Sequence, residues 1–242
     1  TEGGDVEISA RGKLAAIAEA GGDVEGAIEM LRPIADKITD PETQRIYGQA
    51  LADIGDYDAA LTQLTAYQES TYAAWQSAIE RANNLYEQAY NHEFNRLDNG
   101  DAPKTFYEDY ETASEAEQAR MVNEYMAKKL AVNGTQLRAN SMMEEYQNTP
   151  SALMTLGLSY LRTGQASDTP EKRDELLTKA EETFLSLRDF TGESAEYQFF
   201  LGQVYYWLNQ PAKGRALFNS LLEANAEDAD LHYTLAQTVR EV

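Results

Sequence analysis

The chain has 242 residues, of which 43% are hydrophobic and 25% charged, a balance typical of a folded protein. Asp and Glu number 41 against 20 Lys and Arg, and the resulting formal charge of −21 argues against nucleic-acid backbones and anionic membrane surfaces as partners. The absence of cysteine excludes disulfides, thiolate metal sites and a cysteine nucleophile. No apolar run approaches the roughly 18–20 residues of a membrane-spanning helix.

The N-terminal part of the chain shows the apolar spacing of paired helices. In 46–67, small and apolar residues are spaced for two helices that join at Gly55. Glycine suits the end of a helix because it adopts left-handed dihedral angles without a Cβ clash. Ala60 stands where the second helix must come close to the first. The same pattern occurs one unit earlier, with Ala15 lying 33 residues before Gly48.

The middle of the chain departs from this pattern. The segment 70–97 predicts one long helix of about 28 residues, or some 42 Å at the α-helical rise. Its apolar stripe includes Trp75, Ile79 and Tyr86, and we expect this Tyr-rich helix to be a surface for self-association. The charge excess peaks in 98–117, which holds seven acids and only one lysine.

Two distorted helix pairs are predicted after the long helix. Residues 124–146 form a degenerate unit, with a turn expected at Gly134. The next unit has Gly157 in its first helix, and its second helix comes about eleven residues later than the pattern allows. Thr169 as N-cap and Pro170 at the first helical position predict that this second helix is lengthened at its start.

The C-terminal segment returns to the regular pattern. Leu201, Gly202 and Tyr205 mark a first helix, and Gly214 and Phe218 mark its second helix. Ala236 then follows Gly202 by 34 residues, which predicts one more first helix.

Helix-turn-helix units repeating at about 34 residues resemble the tetratricopeptide repeat (TPR) family, whose pattern places Leu-Gly-x-x-Tyr in the first helix and Ala-x-x-x-Phe in the second. The resemblance implies an all-α, right-handed α-solenoid. It divides the chain into N-terminal repeats (5–67), a long-helix insert with an acidic loop (68–119) and C-terminal repeats (120–242). The last helix lacks a partner, and both a terminal cap and a boundary inside a larger protein fit it.

No motif predicts catalysis. His92 and His232 each lack a second ligand at zinc-site spacing, and the sequence contains no phosphate-binding loop, dinucleotide-binding turn or nucleophile elbow. We therefore expect no enzyme activity, no cofactor and no metal.

The stretch "FFLGQVYYW" (199–207) contains five aromatic rings. The resemblance implies that Leu201, Gly202 and Tyr205 are core positions, whereas first-helix positions three and four apart on the opposite face line a concave groove. The alternative is that these rings pack on adjacent repeats or on a continuation of the chain beyond this sequence. The predicted partner-binding groove consists of Met154, Leu158, Arg162, Phe199, Gln203, Tyr206, Trp207, Tyr233 and Gln237.

The resemblance implies a scaffold or adaptor that binds a protein or peptide segment in this groove, within a bacterial assembly or secretion system. Arg45 and Gln49 do not reproduce the Lys and Asn pair with which some members of the family bind a carboxylate tail. Apolar contacts to an extended or helical peptide are therefore expected. The alternative is a structural spacer or regulatory module of a larger protein whose activity lies elsewhere. The sequence is compatible with a cytoplasmic or a periplasmic location.

Overall fold

The structure is a computed structural model and describes residues 2–91, 104–192 and 194–240. In these ranges the chain is all-α, without a strand. It forms two compact units, which are residues 1–72 with 148–242 (unit 1) and residues 73–147 (unit 2). The division of the sequence at 67/68 and 119/120 stays a prediction.

The described ranges contain eleven α-helices and one short 3₁₀ helix, Arg32–Lys37, which follows α2. In chain order the helices are α1 (Glu2–Ala20), α2 (Val24–Leu31), α3 (Pro41–Asp53), α4 (Tyr57–Asn91), α5 (Lys104–Thr112), α6 (Glu115–Glu144), α7 (Thr149–Gln165), α8 (Pro170–Thr191), α9 (Ala195–Trp207), α10 (Pro211–Ala224) and α11 (Ala229–Arg240).

Three turns of unit 1 share one geometry. Gly22, Gly55 and Asn209 have φ values of 74°, 81° and 55° and lie between α1 and α2, α3 and α4, and α9 and α10. At each turn, the amide of the next residue donates to a carbonyl five residues back, as it does from Asp56 to Leu51. These bonds satisfy carbonyls that the helix end leaves free. The predicted turn at Gly55 is confirmed.

Helix pairs in unit 1 pack a bulky side chain of the second helix onto a glycine of the first. This contact lets the two backbones approach closely, because any Cβ on the glycine would occupy the same space. The distances from such a Cβ to the nearest side-chain atom are 2.6 Å at Gly48 (Leu64), 2.6 Å at Gly157 (Phe184) and 2.2 Å at Gly202 (Phe218).

The pair α3/α4 lies directly against the pair α7/α8, although 76 residues separate Tyr72 from Thr149 in the chain. Hydroxyl groups bridge the two pairs, and the repeats before and after unit 2 therefore form one array. The bridging oxygens are Tyr67 Oη with Thr149 Oγ1 at 2.7 Å and Thr65 Oγ1 with Tyr160 Oη at 3.0 Å.

Two predictions about helix boundaries are wrong. The helix predicted over 70–97 begins at Tyr57, because no glycine or proline interrupts the second helix of the preceding pair. Its predicted end, at 92–97, lies outside the described residues, as do 98–103 of the acidic segment and His92. The turn predicted at Gly134 is absent, because α6 runs through this residue.

Unit 2 consists of the second part of α4 with α5 and α6. Trp75, the largest buried side chain here, is 1% exposed, and Ala82 and Ala139 are fully buried. The Tyr86 hydroxyl donates a hydrogen bond to the Asn140 side chain. No helix in the described part of the chain is long and apolar enough to cross a membrane.

Candidate functional site

The candidate site is the surface of unit 1 that carries the predicted groove residues of the first helices α7, α9 and α11. Tyr233 is 66% exposed, and Gln203 is 4% exposed. The other predicted residues are half-buried: Met154, Leu158, Arg162, Phe199, Tyr206, Trp207 and Gln237.

Phe199 and Tyr206 belong to an aromatic cluster at the C-terminal end of the array. Their ring centroids lie 6.2 Å and 5.3 Å from that of Phe218 on α10. Both rings also pack against a buried cluster that includes Leu235 of α11. The last helix therefore covers part of these two rings, and the sequence could not show this contact because it depends on how α11 docks.

The remaining rings of 199–207 have separate environments. Phe200 stacks on Phe184 of the preceding pair, with centroids 6.2 Å apart. The guanidinium of Arg173 lies 5.7 Å from the centroid of the Trp207 ring. Tyr205 is buried, and burial together with the nearby Glu181 carboxylate raises its pKa to about 12.

On α11, the exposed Tyr233 and the half-buried Gln237 form a polar pair. The Gln237 Nε2 group donates to the Tyr233 hydroxyl at 2.6 Å. On α7, Arg162 donates to Gln165 Oε1 at 2.9 Å, on the same helix. Tyr233 keeps most of its surface exposed in this arrangement.

The N-terminal part of the same first-helix surface is polar, and it centres on Arg45. The Arg45 side chain is 6% exposed and forms ion pairs of 2.6 Å with Glu19 of α1 and with Glu42 of its own helix. Burial acts to lower the pKa of its guanidinium, but the hydrogen bonds and charges of the two glutamates outweigh burial and raise that pKa. Arg45 is thereby occupied and unavailable to a ligand carboxylate.

Gln49 extends this network along the array. Its amide accepts from Arg45 and donates to Ser151 Oγ of α7 at 3.1 Å. Glu19, Arg45, Gln49 and Ser151 thus form a polar network that runs from α1 through α3 to α7. Met154 and Leu158 follow Ser151 on α7. Glu42, three residues before Arg45, was a visible signal in the sequence, whereas Glu19 was not.

A cavity of about 740 Å³ opens beside this polar network, between α1 and the start of α3. The sequence did not indicate it. Gly12 lies at its wall, where a Cβ would come within 2.8 Å of Thr43 Oγ1. Its lining includes Ile8, Ser9, Lys13, Lys37 and Ile46.

Metal-binding clusters are missing from the described ranges. No three His, Asp or Glu side chains there come together as metal ligands. Three acidic groups near the candidate surface have structural contacts: Glu19 and Glu42 form ion pairs with Arg45, and Asp40 caps α3.

No protein-family model and no curated protein sequence matches this chain. Among solved structures it is similar to TTC0263, a thermophilic TPR protein from Thermus thermophilus, with 16% identity over 96% of this chain and 98% of that chain and a TM-score of 0.34. It is also similar to MamA residues 41-end from Desulfovibrio magneticus RS-1, with 17% identity over 92% and 98% of the two chains and a TM-score of 0.32.

The fold assignment rests on the helix pairs themselves. Unit 1 is an all-α solenoid of TPR-like repeats. Four helix pairs and one terminal helix supply its first-helix surface, on which both parts of the candidate site lie.

Proposed function

We propose that unit 1 is a non-enzymatic protein-binding scaffold, and that the C-terminal part of its first-helix surface binds a protein or peptide segment. The observation that carries this proposal is Tyr233, a large ring left 66% exposed on α11, the helix whose Leu235 packs with the half-buried Phe199 and Tyr206 of α9. Rigid aromatic rings and adaptable methionines are typical of binding surfaces.

The chemistry of the surface favours one class of partner. Arg45 is already paired with Glu19 and Glu42, so its guanidinium is not available to bind a carboxylate group of a partner. The chain carries −21, and a basic or neutral segment with apolar side chains is therefore the complementary ligand. Met154, Leu158 and Tyr233 would contact those side chains.

A second function, a structural spacer, is favoured by a different observation. Phe199 and Tyr206 pack against Phe218 and the terminal helix, so these rings stabilise the array itself. A spacer would leave Tyr233 without a role in binding.

The test is selection of binders from a displayed library of peptides against the intact chain. Tyr233→Ala should weaken the selected binders by about 2 kcal/mol or more if the ring is an interface anchor. Tyr90→Ala is the matched control, because Tyr90 is 67% exposed and lies in unit 2. Equal effects of the two variants, or a library that yields no binder, would favour the spacer.

A further inference from the structure

Helix α6 of unit 2 carries apolar side chains on two different faces. One face packs inside the unit, where Val132 is 5% exposed and Ala139 is 0% exposed. The second face is exposed and consists of four large side chains, Val122, Met126, Leu130 and Leu137, whose exposures are 41%, 48%, 65% and 67%. These four residues are called the α6 stripe below.

The α6 stripe runs along one side of the helix. At 3.6 residues per turn its four side chains lie within an arc of about 80° and span about 22 Å. The buried Val132 and Ala139 lie on the other side of the helix, about 140° from the centre of the stripe. A helix needs one apolar face to pack inside its own unit, so the packing of unit 2 does not account for the stripe. Exposed apolar side chains that cluster in this way are typical of interaction sites.

The charges in the middle of α6 are mostly positive. Between 118 and 143 this helix has four Lys and Arg residues and one acid, Glu124, which pairs with Lys128 at 3.3 Å. The other three cations, Arg120, Lys129 and Arg138, have no carboxylate oxygen within 4.0 Å in the described part of the chain. The other acids of α6 lie near its two ends. A chain with a formal charge of −21 therefore has a locally positive segment here.

These three cations lie on both sides of the α6 stripe. Lys129 is three residues after Met126 and seven after Val122, which places it at one edge of the stripe. Arg120 and Arg138 lie beyond the other edge, about 100° from the centre of the stripe. The stripe is thus an apolar surface bordered by positive charge, and a partner with complementary charge is acidic.

A second copy of the chain is a poor partner for this surface. Symmetric association places the same patch of both copies in contact. Two α6 stripes would then bring Arg120, Lys129 and Arg138 of one copy close to the same cations of the other. Like charges that face each other across an interface are unfavourable. Charge therefore favours a different molecule over a second copy.

We propose that the α6 stripe binds an amphipathic segment of an acidic partner protein. The segment would form a helix with apolar side chains at every third or fourth position, which pack on Leu130 and Leu137. Asp and Glu beside those positions would pair with Lys129 and Arg138. The stripe belongs to unit 2, so the proposal does not depend on peptide binding at Tyr233 of unit 1.

The experiment measures the binding of a synthetic acidic peptide to the intact chain by fluorescence anisotropy. The probe is a peptide of about 18 residues, or 27 Å as a helix, with leucines at every third or fourth position and glutamates beside them. Leu130→Gln and Leu137→Gln should each weaken its binding by about tenfold or more. Ile17→Gln is the matched control, because Ile17 is 70% exposed and lies in unit 1, and it should leave the affinity unchanged, as should Tyr233→Ala.

A charge substitution tests the choice of an acidic partner. Arg138→Glu should weaken binding of the acidic peptide by roughly threefold or more, the range of an exposed ion pair. Arg215→Glu changes the net charge of the chain equally at an exposed residue of unit 1, and it should have a smaller effect at 0.15 M salt, where charges beyond about 8 Å are screened. Equal losses from the two variants would overturn the proposal.

Four further results would overturn it. The first is an acidic peptide that does not bind, and the second is one that binds no more tightly than the same peptide with lysine in place of glutamate. The third is a wild-type dimer in sedimentation velocity that Leu130→Gln dissociates, which would make the stripe an interface between copies. The fourth is binding to phosphatidylglycerol vesicles that Leu130→Gln abolishes, which would make the stripe a membrane surface.

Discussion

Substitution of Gly202 tests how the helix pairs are held together. In Gly202→Ala the added methyl group would lie 2.2 Å from Phe218 Cε1 and 2.7 Å from Cδ1. Carbon atoms in favourable contact are about 3.5–4.0 Å apart, so the Phe218 ring or the whole of α10 must move. Overpacking of this kind costs about 1–3 kcal/mol.

Helix propensity acts in the opposite direction. Alanine within a helix is more stable than glycine by about 0.5–1 kcal/mol. We expect the upper part of the overpacking range because the contact is so short, and therefore a net loss of about 2 kcal/mol in the free energy of unfolding. Chemical denaturation monitored by circular dichroism measures it.

Gly134→Ala is the matched control. Gly134 also lies inside a helix, but nothing stands within 4 Å of the position its Cβ would take. Only the propensity remains, and we expect this variant to gain about 0.5–1 kcal/mol. Phe218→Leu shortens the opposing side chain, so adding it to Gly202→Ala should cost less than the two separate losses combined. Stabilisation by Gly202→Ala comparable to that by Gly134→Ala would refute the packing account.

Three further predictions concern the candidate site. Arg45→Gln should lower the free energy of unfolding by about 1–3 kcal/mol, which is less than for a fully buried pair because Glu19 and Glu42 are partly exposed. The control Arg215→Gln, at an exposed residue, should change the free energy of unfolding by less than about 0.5 kcal/mol in the same denaturation assay. Equal losses from the two variants would contradict the Arg45 network. Phe199→Ala should lower the free energy of unfolding by about 2–3 kcal/mol, because its ring packs against the buried cluster of Phe218, Leu221 and Leu235. Tyr233→Ala should lower it by less than about 0.5 kcal/mol, because this ring is 66% exposed. A large loss in Tyr233→Ala would show that its ring is packed in solution. The third prediction concerns Tyr205, whose pKa rises from 10.0 to about 12 in the folded chain. The unfolded chain therefore loses this proton first, and the free energy of unfolding should fall as the pH rises from about 10 towards 12. Tyr205→Phe should make this fall shallower, and an unchanged slope would contradict the raised pKa of Tyr205.

The repeat pattern predicted those parts of the fold that depend on local sequence. Gly55 and the Thr169-Pro170 helix start mark their positions because backbone dihedral angles and the missing proline amide act within a few residues. Gly134 misled for a related reason, since a glycine is compatible with a helix interior at a cost of about 1 kcal/mol and packing decides whether it ends the helix.

The candidate site was only partly predictable, because its contacts join distant segments. The pattern placed Phe199 and Tyr206 on the first-helix surface, but their contact with the terminal helix depends on how α11 docks. The Glu19–Arg45 ion pair joins two residues 26 positions apart in the chain, and the repeat spacing does not specify this contact. The roles in partner binding given to Met154, Leu158, Arg162, Gln203, Trp207 and Gln237 stay predictions.

The continuity of the array across unit 2 is the central claim, and cross-linking tests it most directly. Gln49 and Ser151 are hydrogen-bonded at 3.1 Å although 102 positions apart in the chain, which contains no cysteine. A Gln49→Cys, Ser151→Cys double variant should therefore form a rapid intramolecular link with a short bis-maleimide. A Gln49→Cys, Glu223→Cys pair, with the second cysteine on α10, should not. Failure of the first pair to link, or equal linking of the two pairs, would contradict a continuous array.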